Sequence, residues 1–177
     1  MFKTIKKILD RSLELLVMIV VVVLVLDVLW QVFTRFILRN PSTWTEELAV
    51  FLLIWVSLLG AAVALGRGAH LGIDYFVGKL PEKIRITTEV FVFLVVALFS
   101  FTVMIIGGLE LVVDTLRFEQ ISPALNVKVG YVYLAVPLSG FFLVLYSLIG
   151  LGERLTELVK GKAAVEPTSS HTEEGID

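Results

Sequence analysis

Four long apolar runs separated by short polar stretches set the pattern of this chain. They cover residues 13–38, 47–65, 88–113 and 130–151, and each is long enough to cross a hydrocarbon core of ~30 Å at ~1.5 Å per residue. Inside a bilayer the backbone polar groups find no water, so every crossing must be a helix. The pattern predicts an all-α integral membrane protein with four transmembrane helices in a single domain, 13–152. An amphipathic segment at 1–12 precedes it and a polar tail at 153–177 follows.

In the first segment Lys3, Lys6, Lys7 and Arg11 alternate with Phe2, Ile5, Ile8 and Leu9 at helical spacing. The apolar stretch that follows is too long for a signal-peptide core and lacks a small-x-small cleavage site. An uncleaved first crossing, led by an amphipathic turn at the membrane surface, is the better reading. That crossing is ~39 Å long if straight, so it must tilt or project. Its second half carries Asp27, Gln31, Thr34 and Arg35 on one face. A carboxylate at mid-membrane costs ~2.5–3.5 kcal/mol on insertion scales, so Asp27 should face protein or water. A packing contact with another helix and a proton or ion site both fit. The stripe of Asp27, Gln31 and Arg35 is a candidate subunit interface.

Arg39-Asn40-Pro41-Ser42 ends the first crossing, and Thr43-x-x-Glu46 has the form of a capping box for the second. Glu46 and Glu47 either complement the positive end of that helix or pair with Arg35 and Arg39. Trp44 suits the interfacial aromatic belt. Further along, Ser57, Gly60, Ala61 and Ala64 place small residues four apart, which is how membrane helices come into close contact. The loop at 67–85 mixes apolar and charged residues, as a surface-lying segment would, and Pro81-Glu82 opens the third crossing. In that loop His70 has no cysteine or second histidine to share a metal with; a hydrogen bond to Asp74 or to the preceding helix end is expected. Glu110 and Asp114 mark the end of the third crossing. The next loop contains Ser122-Pro123-Ala124-Leu125. Pro137, followed by Ser139-Gly140, should bend the fourth crossing. The acidic end of the tail should be disordered.

Charge adds an orientation. Lys3, Lys6, Lys7, Arg11, Arg67, Lys79, Lys83, Arg85, Arg154, Lys160 and Lys162 fall on one side, against Arg35, Arg39, Arg117 and Lys128 on the other. The excess predicts both termini in the cytoplasm, with the Trp44 and Ser122 loops outside. The 57% apolar content and mean hydropathy of +0.91 agree with a membrane protein. Cysteine is absent, which removes disulfides and thiolate metal sites. The net charge of −2 is spread over helix ends without a basic stripe, so no nucleic-acid partner is expected. No nucleophile with a base, phosphate-cradling loop or metal-ligand set is visible, so neither an enzyme nor a cofactor is expected.

Arg35, Trp44, Glu46-Glu47-Leu48, Trp55, Gly60-Ala61-Ala62, Gly68-Ala69-His70-Leu71, Asp74, Ser122-Pro123-Ala124-Leu125 and Pro137 with Gly140 occur in an order with a resemblance to a known family. The chain resembles the DctQ-like small membrane subunits of tripartite ATP-independent periplasmic (TRAP) transporters. The similarity runs over all four crossings and omits the first dozen residues and the acidic tail. Pro137-Leu138-Ser139-Gly140 departs slightly from the pattern, which would have glycine before or at the serine.

The resemblance implies a scaffold without a solute site of its own in the bacterial inner membrane. A periplasmic binding protein would deliver an organic acid to a large, separate membrane subunit, which moves it on a sodium gradient and binds the sodium ions itself. Asp27, Gln31, Ser57 and Gly60 would then face partner helices, with membrane lipid around the subunit. Trp44, Glu46, Glu47, Ser122 and Pro123 would form the external hairpin or docking surface. Two other classes fit the residues alone: a free-standing four-helix exporter in which Asp27 exchanges protons, and a non-transport membrane assembly subunit.

Overall fold

The computed structural model describes residues 2–40, 42–67 and 82–163. The expectations for Pro41, His70, Asp74, Pro81 and the acidic end of the tail lie outside the described residues.

Helix α1 runs unbroken over Phe2–Phe36. No glycine or proline interrupts it, so the segment at 1–12 is not a separate surface element: from Phe2 it continues the same helix as the first crossing. After Phe36, Arg39 takes a left-handed φ of 50°. The turn returns the Asn40 N–H to the Thr34 carbonyl at 3.2 Å.

Helix α2 spans Thr43–Gly66 with Ser42 as its N-cap. The expected Thr43–Glu46 capping box is therefore displaced, because Thr43 is already helical. The Ser42 hydroxyl is engaged with Thr45 Oγ1 at 2.6 Å, while Thr45, fully buried, donates to the Ser42 carbonyl at 2.9 Å. The polar entry to α2 is a Ser–Thr pair in place of a Thr–Glu box.

The third crossing is longer than 88–113. It consists of α3 (Glu82–Phe99), a π-helical segment (Ser100–Gly107) and α4 (Gly108–Arg117). The fourth is α5 (Gly130–Tyr133) and α6 (Ala135–Ala163), so the first part of the expected polar tail is helical. The break at Leu134 follows from Pro137. Proline has no N–H to offer the Tyr133 carbonyl and its ring crowds that turn, and regular bonding resumes with Leu138 N–H to Leu134 O at 3.2 Å. Ser139 donates to the Val136 carbonyl at 2.9 Å, in the turn just after the break.

Helix α1 packs on α2, α2 also on α6, and α6 on the third crossing. The crossings thus stand in the order first, second, fourth, third. Leu13, Leu59, Ala62 and Tyr146 form the core where α1, α2 and α6 meet. Between the third and fourth crossings the contact is made through glycine. A methyl group built on Gly140 would lie 2.7 Å from Met104 Cβ, and one on Gly108 would lie 3.0 Å from Val136 and 3.2 Å from Pro137. Lipid supplies no hydrophobic drive to pull helices together, so dispersion at such close approaches holds the pair.

Candidate functional site

Among the described residues the charged side chains gather towards the two ends of the helix row, and Asp27 lies furthest from either end. At one end Glu47, in the first turns of α2, reaches the loop that joins α4 to α5. Its Oε2 accepts the Ala124 N–H at 2.9 Å and the Leu125 N–H at 3.1 Å, and the Ser122 hydroxyl donates to the same carboxylate. The loop is shaped to present those groups. Ser122 N–H bonds Val127 O and Asn126 N–H bonds Ser122 O, both at 2.9 Å. Asn126 sits at φ 56°, a left-handed conformation that asparagine tolerates well. An ion pair of Glu119 with Lys128 at 3.6 Å closes the base.

This clasp answers the open question for Glu47, while Glu46 stays in the first turn of α2, where it can complement the helix start. Among the described residues neither forms an ion pair with Arg35 or Arg39, and Glu47 instead binds backbone 77 residues away. Ser122 is buried beneath it, while Trp44, Glu46 and Pro123 remain exposed around it.

Along α2 the small residues point away from the chain's own core. Leu59 and Ala62 are fully buried, whereas Ser57 and Ala61 are exposed and Gly60 and Ala64 are partly so. Nothing lies within 4 Å of the position a Gly60 Cβ would take. The notched face is open. The polar stripe on α1 divides: Asp27 and Thr34 are buried on the side that packs on α2, Gln31 is half-buried and Arg35 is exposed. Of the three stripe residues expected at a subunit interface, Asp27 is already enclosed by its own chain, because the offsets that align it with Thr34 point both at α2. Thr34 donates to the Gln31 carbonyl at 3.0 Å, and neither oxygen of Asp27 has a partner.

At the opposite end the structure assembles residues that sequence reasoning did not single out. Arg67 grips Glu14 Oε1 through Nε and Nη2, both at 2.9 Å, tying the end of α2 to the start of α1. The Arg67 pKa is pushed further above its high ordinary value, first by this hydrogen bond and then by the carboxylate charge. Tyr146 of α6 hydrogen-bonds Asp10 of α1, and its ring lies so close to Gly66 that a methyl group there would be 3.0 Å from it. Glu89 of α3 pairs with Arg154 of α6 at 2.7 Å and with Arg85 at 3.1 Å. The signal for Glu14 with Arg67 was available: in two antiparallel crossings, a charge near the start of one and a charge ending the other lie at the same depth. Among the described residues no three His, Asp or Glu side chains come together as a metal-ligand group.

The family model described as tripartite ATP-independent periplasmic transporters, DctQ component, matches residues 24–157. The chain belongs to the DctQ family. It is 30% identical to the sialic acid TRAP transporter small permease protein SiaQ of Vibrio cholerae over 168 residues, 95% of this chain and 93% of that protein. It is 31% identical over 98 residues to the C4-dicarboxylate TRAP transporter small permease protein DctQ of Rhodobacter capsulatus, 54% of this chain and 41% of that one. A stretch of 66 residues, 37% of this chain, is 41% identical to the sialic acid TRAP transporter permease protein SiaT of Haemophilus influenzae, where it takes up 11% of the length. This DctQ-family member is a small TRAP permease subunit, and among the described residues four helices are long and apolar enough to span a membrane. The matched region contains Asp27, the open face of α2 and the Glu47 clasp. It excludes Asp10 and Glu14.

Proposed function

We propose that this DctQ-family subunit is the stationary scaffold for a separate, large membrane subunit that takes up an organic acid on a sodium gradient. A periplasmic binding protein delivers the solute, and the sodium ions bind to the large subunit. Both termini lie in the cytoplasm, following the lysine and arginine excess, and the Glu47 clasp faces outward. The observation that carries this reading is the open face of α2. Gly60 has free space where a neighbour's backbone can come close, and Ser57, Ala61 and Ala64 line the same side. The short segment shared with the much longer SiaT supports it, since there a stretch like this one belongs to one polypeptide with a far larger remainder.

The clasp supports the docking part of the proposal. Glu47 fixes the loop, so Trp44, Glu46 and Pro123 are displayed on a preformed surface. Uptake in proteoliposomes tests the reading: this chain, its large partner and the binding protein together should accumulate labelled organic acid under an inward sodium gradient. Omitting any one should abolish uptake, and transport by this chain alone would refute the scaffold role.

A further inference from the structure

Asp27 lies nine residues inside the end of the first span, ~14 Å along the helix. Only 7% of its surface is exposed, and both carboxylate oxygens are enclosed without a hydrogen-bond partner. The element packed against this part of α1 is α2, whose residues 48–66 contain no titratable or charged side chain. On α1 itself the flanking charges are Arg35, eight residues or ~12 Å away, and Glu14, thirteen residues or ~20 Å away in the other direction. Arg35 is exposed and Glu14 is held by Arg67. A bare carboxylate so enclosed would have neither solvent nor counter-charge, which is the costliest arrangement available to it.

We propose that Asp27 is a proton-binding site: it is a neutral carboxylic acid while α1 is docked on α2, and it gives up the proton when the chain unfolds in detergent and the group meets water. No transported solute is involved, and the proposal stands apart from the scaffold reading. The folded state holds one proton more than the unfolded state between the ordinary aspartate range of ~4 and the pH at which the docked acid itself ionises. Within that window the ratio of folded to unfolded chains is greatest in acid and falls about tenfold per pH unit as pH rises.

Two measurements on the full chain in detergent test this. The first is the infrared absorption of a protonated carboxyl C=O at pH 7, assigned with carbon-13 aspartate in the natural chain and by its loss in Asp27→Asn. A labelled band at pH 7 supports the site, and its absence overturns it. The second is unfolding in sodium dodecyl sulfate between pH 6 and 8, comparing the natural chain with Asp27→Asn. The folded-to-unfolded ratio of the natural chain, divided by that of the variant, should fall as pH rises, by at most about a hundredfold over those two units. Parallel pH profiles would overturn the coupling. Should Asp27→Asn not fold, Asp27→Leu replaces it as the non-ionising reference.

Discussion

Glycine to alanine at three positions separates contacts inside the chain from a surface kept for another chain. At Gly140 the new methyl would sit 2.7 Å from Met104 Cβ and 3.3 Å from the Met104 carbonyl carbon. Neither atom can swing aside, because both are fixed by the π-helical backbone. Opening the gap between the third and fourth crossings enough for the methyl should cost about 1–3 kcal/mol, or roughly 5- to 150-fold in the folding equilibrium. At Gly150 the clash is closer, 2.5 Å, but it falls on the Cε1 and Cζ edge of the Phe93 ring, the far end of a side chain and not backbone. The cost there should be smaller despite the shorter distance. At Gly60 the methyl meets nothing, so the isolated chain should unfold as before. The assay is reversible unfolding in mixed micelles of dodecyl sulfate, followed by the fluorescence of Trp30, Trp44 and Trp55. The order of destabilisation should be Gly140→Ala, then Gly150→Ala, then Gly60→Ala. Equal stability of Gly140→Ala and the natural chain, or a loss at Gly60→Ala as large as at Gly140→Ala, would refute the reasoning.

Glu47→Ala should free the Ala124 amide and leave the Leu125 amide only its longer bond to the Ser122 hydroxyl at 3.3 Å. Hydrogen exchange at these two sites should accelerate while amides in the middle of α2 stay protected; unchanged exchange would remove the clasp. Pro137→Ala supplies the missing N–H, so α5 and α6 should join into one straighter helix, seen as a changed label-to-label distance between positions 131 and 148; an unaltered distance would mean that packing against Gly108 sets the bend. Arg67→Ala should loosen the first turns of α1 from the end of α2 with a modest effect that shrinks at high salt, since the pair is partly exposed; a salt-independent loss would point to packing instead.

The four crossings were legible because only a long apolar run can satisfy a bilayer, and that rule leaves few alternatives for residues 13–38 or 47–65. The ends were less so. Charged residues at helical spacing, as around Lys7 and Arg154, mark a helix that leaves the membrane as readily as a loop, so α1 and α6 both run further than the apolar pattern. The π segment has no compositional signature: Ser100, Met104 and Gly108 would share a face in an ordinary helix as well. Glu47 was recognised as important for a local reason, proximity to a helix start and to Arg35, whereas its true partners lie 77 and 78 residues away. Sequence spacing could place Ser57, Gly60, Ala61 and Ala64 on one face, but only packing reveals that Leu59 and Ala62 occupy the inner one. For Asp27 the same spacing argument could not decide between an outer and an inner contact, because both satisfy a buried stripe.

The central claim is that the open face of α2 binds a large membrane partner, and one experiment addresses it most directly. Tagged chain carrying Gly60→Leu is purified from its native membrane in mild detergent beside the natural chain, and co-purifying proteins are identified by mass. The account predicts that the natural chain retains a large polytopic subunit and that Gly60→Leu loses it, while the variant keeps its helicity and unfolding midpoint. Full retention of the partner by Gly60→Leu, or recovery of the natural chain only as a homodimer, would contradict it.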